Sequence, residues 1–422
     1  MRRTPRLLYA ILFISALIGG VLFAIKFAKG YRPSLTNKSL QGTGLLSVNS
    51  IPKGATVFIN DKLTTATDDT LNLPPGEYLV KIAKDGFIPW EKTLILEPEL
   101  VSQTNTRLFP SVPNLKPLTF SGSLNPTPSP DGQKIVFAVE HSTTDSKNGL
   151  YVIDLQDRPF SLNTDPRQIT RNSEKYDFVK AKLTWSPDTS QILATLNADQ
   201  PNESNILLNP NSFNDIADLK DVTARLPVII EDWQELLDQK AHQAMLDLPV
   251  FMQELTTQSA KLVYFSPNEE MIMYTATQNL TIPEDLIPPL PSSSTQTETR
   301  DIQVDNVYIY DIEEDKNFLI SPATPNPSPS PSPTPLEEIK NRYSASTTQT
   351  IQWYPDSRHF ISVTEDKIII SEYDSTNQAV VYAGPFSNSF AYPYPNGSSL
   401  VILASLNGGS NLPPNLYSIN LK

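Results

Sequence analysis

A short pattern occurs five times in the last three quarters of this chain. An apolar or aromatic strand runs into a Pro-Asp or Pro-Asn turn, and a second apolar strand follows. Because one such unit cannot bury its own apolar faces, each copy must stack on a neighbour, and the pattern predicts a radial or solenoid array. The five turns are Ser129-Pro130-Asp131-Gly132, Ser186-Pro187-Asp188, Ser266-Pro267-Asn268, Tyr354-Pro355-Asp356 and Tyr394-Pro395-Asn396-Gly397.

Each turn unit is predicted to contain four strands, which is the content of one propeller blade. The last unit stops at Leu421 without its fourth strand, and Leu118-Thr119-Phe120, ahead of the first unit, is free to supply it. Such a closure would join the two ends of the array and remove an exposed sheet edge. We therefore expect an all-β fold in which residues 115–422 form a propeller of five to six blades.

The repeats carry a family resemblance. Ser129-Pro130-Asp131-Gly132 and Tyr151-Val152-Ile153-Asp154 resemble the signatures of the WD40-like or TolB-like propeller repeat. The resemblance implies the propeller fold, and it identifies neither a ligand nor a reaction.

Two segments interrupt the repeats. In residues 213–258, Asp232-Trp233-Gln234-Glu235 is typical of a helix start, apolar residues follow at helical spacing, and Pro249 ends the run. We expect this helix to pack on the flank of the propeller; the alternative is that it docks a partner helix. Residues 322–335 are rich in alternating proline, which removes every other ladder donor, so we expect an exposed polyproline-like loop.

The chain opens with a membrane-spanning pattern. Residues 7–25 contain no charged side chain. At about 1.5 Å per residue, a helix of this length spans roughly 28 Å, which is one hydrocarbon core. A cleaved signal peptide is the rival interpretation, but its apolar region is only about 7 to 15 residues long and ends in small residues. We expect a membrane anchor, whose apolar positions include Leu7, Leu12, Leu17, Leu22 and Ile25.

Charge is distributed unevenly along the chain. The first 32 residues hold six basic side chains and no acidic one, while the remainder holds 27 basic and 46 acidic side chains, a net charge of −19. An acidic body repels phosphate backbones, which argues against nucleic acid as a partner. Basic residues flank both ends of the apolar run, but a large body translocates largely regardless of charge. We expect residues 1–32 to comprise a cytoplasmic head and the anchor, residues 33–43 to be a tether, and the rest to lie outside the cytoplasm.

Between the tether and the repeats, apolar and polar residues alternate in short runs bounded by Pro-Gly turns, as half-buried strands require. Pro52-Lys53-Gly54-Ala55, Leu73-Pro74-Pro75-Gly76-Glu77-Tyr78 and Gly86-Phe87-Ile88-Pro89-Trp90 resemble the PEGA domain in order and spacing, with Lys53 in place of Glu. The resemblance implies a small non-enzymatic β-sandwich over residues 44–110. It also implies the setting of that family, which occurs in surface-associated and membrane-anchored prokaryotic proteins.

No set of residues in the sequence marks a catalytic or metal site. The chain has no Cys, which excludes thiolate chemistry, and its three histidines, His141, His242 and His359, lack metal-ligand spacing. Gly-x-Ser-x-Gly elbows and phosphate-binding glycine loops are also absent. The turn carboxylates are explained by hydrogen bonds to their own backbone. We therefore expect no enzyme activity and no cofactor, and we keep a hydrolase with a propeller gate or metal site as a third hypothesis.

The leading hypothesis is a non-catalytic, single-pass membrane protein that presents a PEGA-like domain and a propeller as a protein-interaction platform. The alternative is a module that binds cell-wall or surface glycan. That alternative depends on exposed aromatic side chains that stack on a sugar ring, and the candidates are Trp90, Tyr392 and Tyr394. For Trp90, a core position beside a turn is the competing interpretation.

Overall fold

A computed structural model of the chain describes residues 4–28, 31–34, 39–140, 145–156, 165–198, 200–290, 294–322, 334–342, 350–387, 389–406 and 413–422. Strands dominate the described residues, and helices are few. The contacts divide the chain into two compact units. The first comprises Met1–Leu108 and Leu290–Gln296, and the second comprises Phe109–Pro289 and Thr297–Lys422.

The first unit begins with an apolar helix, α1 (Thr4–Ala28). By length and composition its segment Tyr9–Phe27 can span a membrane, and none of that segment is buried in the protein. A helix suits this role because it satisfies its backbone hydrogen bonds internally. The side chain of Leu7 is not among those described. The other predicted anchor positions are all exposed: Leu12, Leu17, Leu22 and Ile25.

The rest of the first unit is a small β-sandwich. Its strands are β1 (Arg32–Ser34), β2 (Ser39–Gln41), β3 (Gly44–Val48), β4 (Ser50–Ile51), β5 (Thr56–Ile59), β6 (Lys62–Ala66), β7 (Asp69–Leu73), β8 (Gly76–Ala83), β9 (Trp90–Leu96), β10 (Val101–Gln103) and β11 (Thr106–Arg107). The larger sheet has the antiparallel order β6-β5-β8-β9, and the smaller has the order β10-β3-β7. The alternation seen in the sequence explains the core, since every second residue of β3 and β5 is buried.

The second unit is built from five antiparallel sheets, which we call blades 1 to 5. It opens with β12 (Asn114–Pro117). Blade 1 contains β13 (Leu124–Pro128), β14 (Lys134–Val139), β15 (Gly149–Asp154) and β16 (Arg167–Arg171), and blade 2 contains β17 (Lys182–Trp185), β18 (Ile192–Leu196) and β19 (Ser204–Leu208). Blade 3 contains β20 (Ala260–Phe265), β21 (Met271–Ala276), β24 (Val307–Asp311) and β25 (Lys316–Ser321), with a side hairpin of β22 (Leu280–Thr281) and β23 (Asp301–Ile302). Blade 4 contains β26 (Ile351–Trp353), β27 (His359–Val363), β28 (Lys367–Glu372) and β29 (Ala379–Ala383), and blade 5 contains β30 (Ala391–Pro393), β31 (Ser399–Ala404) and β32 (Asn415–Asn420).

Blade 5 gains its fourth strand from the start of the same unit. Strand β12 pairs antiparallel with β32, with Leu115 opposite Ile419, so the outer edge of the last blade is covered. Closure by a strand ahead of the first repeat is therefore confirmed, but the strand is Asn114–Pro117 and not Leu118-Thr119-Phe120. Beyond Pro117 the contact with blade 5 continues at Thr119, whose hydroxyl donates a hydrogen bond to Asn415 Oδ1 at 3.1 Å.

Buried apolar side chains join neighbouring blades. Blades 1 and 2 share one cluster, blades 3 and 4 share a second, and blades 5 and 1 share a third. Blades 4 and 5 are linked by a hydrogen bond from Gln352 Nε2 to the carbonyl oxygen of Ala391, 2.6 Å away. These contacts explain why apolar side chains lie on both faces of the strands, since neighbouring sheets cover them.

The helical insertion bridges blades 2 and 3. It contains α2 (Leu226–Met245) and α3 (Val250–Gln258), preceded by 3-10 turns at Ile216–Asp218 and Thr223–Arg225. Trp233 and Leu237 of α2 pack with Leu193 of blade 2. Met252 and Leu255 of α3 pack with the tyrosine-rich face of blade 3. The insertion thus packs against the propeller itself, which was the first of the two expectations.

The start of α2 was predicted too late. The helix begins at Leu226, six residues before Asp232, and has a proline in its first turn. Pro227 suits that place because the first backbone N–H groups of a helix have no intrahelical partner. Asp232 therefore lies inside the helix and caps nothing. Pro249 does mark a boundary, as the N-cap of α3.

A fourth helix, α4 (Pro335–Asn341), belongs to the connection between blades 3 and 4. Thr334 and Glu337 form a reciprocal capping box at its start. Ile339 is fully buried in the cluster that joins α2 to blade 2, and Arg342 pairs with Asp238 of α2 at 2.6 Å. The polyproline-like loop predicted for residues 322–335 mostly falls on residues 323–333, outside the described residues. At Pro335 the prediction is wrong, because that residue begins a helix.

Candidate functional site

The Pro-Asp turns have a common hydrogen-bond pattern that explains their recurrence. In blade 1, Asp131 Oδ1 accepts from the Ser129 hydroxyl at 2.5 Å and from the backbone N–H of Gln133 at 3.1 Å. In blade 2, Asp188 Oδ1 accepts from the Ser186 hydroxyl at 2.6 Å. The side chain closes the turn upon its own backbone, as the sequence analysis proposed.

The residue two positions after each turn proline has a left-handed backbone conformation. The five φ values lie between 61° and 73°. Glycine adopts this conformation without a steric penalty, whereas other residues need a locally stabilised turn. The residues are Gly132, Thr189, Glu269, Ser357 and Gly397. The first strand of each blade, which we call its inner strand, therefore turns back at an equivalent point.

Four of the five turns enclose a cavity of about 280 Å³, which we call the turn cavity. It lies where the inner strands of blades 3, 4 and 5 end beside the first turn of blade 1. Proline rings and aromatic side chains form most of its wall. The lining residues are Pro130, Asp131, Gly132, Phe265, Pro267, Gln352, Trp353, Pro355, Tyr392, Pro393 and Pro395.

The walls of the turn cavity are held by hydrogen bonds between blades. The indole Nε1 of Trp353 donates to the carbonyl oxygen of Tyr264, and the Gln352 amide is occupied by Ala391. Both side chains are buried. The Trp353 indole nitrogen and the Gln352 amide nitrogen are therefore engaged in the structure of the ring, and both side chains also contribute apolar surface to the cavity.

The wall also contains a tyrosine hydroxyl and a carboxylate. The Tyr392 side chain is only 7% exposed, and its hydroxyl has no hydrogen-bond partner within the described ranges. Burial raises the pKa of that hydroxyl, and the nearby Asp131 carboxylate raises it further. Asp131 Oδ2 has one partner, the Thr189 hydroxyl at 3.3 Å. Tyr392 and Asp131 therefore line the same small space.

The three aromatic residues predicted as exposed stacking platforms are not exposed. Trp90 is 3% exposed and packs in the core of the β-sandwich, as its competing interpretation held. Tyr394 is 9% exposed and packs between blades 5 and 1, in the same cluster as Tyr392. Neighbouring sheets cover these aromatic rings at the strand ends. The sequence of a single strand cannot indicate that covering. Of the three, Tyr392 reaches a cavity.

The histidines are dispersed. His359 is buried, with Nδ1 2.9 Å from Asp356 Oδ2 and with its ring edge-on to Phe109. His242 lies in the last turn of α2, and His141 falls outside the described residues. Among the described residues there is no group of three or more histidine, aspartate or glutamate side chains that could hold a metal ion.

A larger cavity of about 880 Å³ lies beside the helical insertion. It is bounded by α2, α3 and α4 and by the full length of the inner strand β20. Two of its charged side chains form ion pairs: Lys261 pairs with Asp305 at 2.7 Å, and Arg342 pairs with Asp238. Lys240, Glu269 and Glu338 also line it. We take the turn cavity as the candidate for ligand binding because four of the five repeat turns contribute to its wall.

Comparison with known protein families identifies the β-sandwich of the first unit. The family model of the PEGA domain matches residues 43–111. Residues 43–111 form a PEGA domain. The PEGA domain thus contains strands β3 to β11 and the buried Trp90. A comparison with curated proteins gave no match.

Among solved structures, similar chains include two TolB proteins. A putative TolB from Agrobacterium tumefaciens shares 11% identity and a TM-score of 0.21, covering 70% of this chain and 78% of its own. TolB from Acinetobacter baumannii shares 12% identity and a TM-score of 0.23, covering 87% and 63%. An oligogalacturonate lyase in complex with manganese shares 10% identity and a TM-score of 0.20, covering 90% and 91%. TM-scores this low carry no argument about this chain, and the propeller fold is supported instead by the chain's own strand pairing.

Proposed function

We propose that this protein is a non-catalytic, single-pass membrane protein that presents its PEGA domain and propeller outside the cytoplasm as a protein-binding platform. The turn cavity is the observation that carries the binding role. Four blades contribute to one small recess, and its tyrosine hydroxyl and carboxylate are suited to recognition, because neither is paired with a nucleophile or a general base.

The membrane role is supported by α1. Its uncharged segment matches a hydrocarbon core in length, and its apolar side chains have no cover within the described protein. The glycan alternative requires exposed aromatic side chains, but Trp90, Tyr392 and Tyr394 are buried. A protein partner is therefore the better occupant of the turn end of the propeller.

Two measurements test this proposal. The full chain with a C-terminal epitope should resist carbonate extraction from membranes, and protease added to intact cells should remove the epitope. Loss of the chain into the carbonate supernatant, or protection of the epitope, would contradict the membrane role. For the binding role, a photo-crosslinking residue placed at exposed Pro395 should capture a protein, whereas the same residue at exposed Lys62, on an edge strand of the PEGA domain, should not.

A further inference from the structure

We propose that the turn cavity binds an alkylammonium group, presented by a lysine side chain of the partner polypeptide. This inference rests on the proposed binding role of the same surface. It specifies the chemistry that the surface recognises.

The charge of the cavity selects a cation. Asp131 is the one charged side chain in its wall, and Tyr392 contributes a hydroxyl oxygen that can accept a hydrogen bond. None of the described residues that line the space is basic. The part of the chain beyond residue 32 carries a net charge of −19, so its field also attracts cationic partners.

The apolar wall favours the same ligand. Phe265, Trp353 and Tyr392 line the cavity, and aromatic rings attract cations through their electron-rich faces. Proline rings supply the rest of the surface, against which a methylene chain can pack. A lysine side chain combines an apolar stem with a charged end, which suits a recess whose wall combines aromatic and proline rings with a carboxylate and a hydroxyl.

The available oxygens favour an ammonium over a guanidinium. Asp131 Oδ1 already accepts two hydrogen bonds, from Ser129 and Gln133, so the carboxylate is poorly placed to receive the two parallel bonds of an arginine. Its Oδ2 has one partner at 3.3 Å. An ammonium is a compact charge with three donors, and it can bridge Asp131 Oδ2 and the Tyr392 hydroxyl.

The size of the cavity limits the ligand to one small group. At about 280 Å³ it is slightly below the lower end of the range, about 300 to 1,000 Å³, that is usual for drug-sized ligands. A single amino-acid side chain is therefore a suitable occupant.

The test uses the full chain in detergent micelles and ligand-observed NMR titration. The probes are N-acetyl-lysine methylamide, its neutral isostere N-acetyl-norleucine methylamide, and ethylammonium. We expect the lysine probe to bind at least tenfold more tightly than either of the others. Equal binding of lysine and norleucine would overturn the cation assignment. Ethylammonium that binds as tightly as the lysine probe would overturn the assignment to a polypeptide and indicate a free amine.

Variants locate the site. Asp131→Asn keeps the acceptor oxygen that closes the turn but loses the charge, and it should weaken lysine binding at least tenfold. Tyr392→Phe should weaken it severalfold. The matched control is Asp188→Asn, which changes the equivalent turn of blade 2 outside the cavity and should leave binding unchanged. Unaltered binding by Asp131→Asn, with the thermal unfolding of all variants checked, would overturn the proposal. Capture of a partner at Pro395 is measured separately, so it can succeed where lysine binding fails.

Discussion

The indole Nε1 of Trp353 donates a hydrogen bond to the carbonyl oxygen of Tyr264, 3.0 Å away, and so ties the inner strand of blade 4 to that of blade 3. Blades 1 and 2 repeat the arrangement, since Trp185 Nε1 donates to the carbonyl oxygen of Thr127 at 3.0 Å. In both cases the tryptophan ends the inner strand, just before the Pro-Asp turn. The aromatic residue of the repeat is therefore a link between blades as well as a core side chain.

Replacement of Trp353 by Phe should destabilise the propeller by about 2 kcal/mol, because a buried ring shrinks and the Tyr264 carbonyl loses its donor. Urea unfolding followed by far-UV circular dichroism measures this change. Trp185→Phe is the matched variant and should have a similar effect, although Trp185 does not line the turn cavity. A Trp353→Phe protein as stable as the parent would show that the link contributes nothing.

Gly397→Ala should destabilise the last blade by roughly 2 kcal/mol or more. Gly397 has a φ of 62°, a conformation that costs an L-residue about 1 to 2 kcal/mol. An added Cβ would also lie 2.8 Å from the hydroxyl oxygen of Tyr354, which hydrogen-bonds to the Gly397 carbonyl. Thermal unfolding provides the measurement. Gly86→Ala is the control: its φ is also positive, but a Cβ there meets no neighbour, so its loss should be smaller.

Asp311 should make stability depend on pH in an unusual direction. Burial at the end of β24 raises the pKa of its carboxyl to about 6, since hydrogen bonds from the backbone N–H groups of Glu313 and Glu314 only partly offset the burial, and the charges of those two residues add to the rise. The folded protein then binds this proton more tightly than the unfolded chain does. The corresponding stability is present at low pH and is lost as pH rises from about 4 to about 6.

Asp311→Asn removes that proton equilibrium. The variant should be more stable than the parent at pH 7 by on the order of 2 kcal/mol, and the difference should vanish near pH 4. Denaturant titrations at several pH values measure it. Asp188→Asn provides a contrast: burial opposes ionisation of Asp188, but hydrogen bonds from Ser186 and Ser190 outweigh it and lower the pKa, so its stabilisation is lost on acidification. A parallel response of the two variants would contradict this account.

Ile339→Ala should destabilise the packing of α4 and of the helical insertion together. The side chain is fully buried among Leu193, Ile229 and Trp233, and its truncation should cost about 2 kcal/mol or more. Hydrogen exchange in α2 should accelerate, because α4 covers part of that helix. Asp238→Asn is the control; it breaks the partly exposed pair with Arg342 and should cost less than about 1 kcal/mol. Unchanged exchange in α2 after Ile339→Ala would show that α4 does not brace it.

The sequence by itself determined the local elements of this protein. The five turns, the apolar helix α1 and the PEGA motifs could all be read from residues within a few positions of one another. Turn chemistry and strand alternation act over such short distances. For the same reason the turn role of Asp131 and Asp188 was predictable from Ser-Pro-Asp alone.

The tertiary structure decided which surfaces these elements cover. That α2 and α3 bridge blades 2 and 3, and that α4 starts at Pro335 and buries Ile339 against α2, depends on packing between distant segments. The candidate site is of the same kind: Tyr392 and Asp131 are 261 positions apart in the chain, and only ring closure brings the hydroxyl beside the carboxylate. Burial is a property of the assembled sheets, so a single strand could not indicate that Trp90 and Tyr394 are covered or that the Tyr392 hydroxyl opens into a cavity.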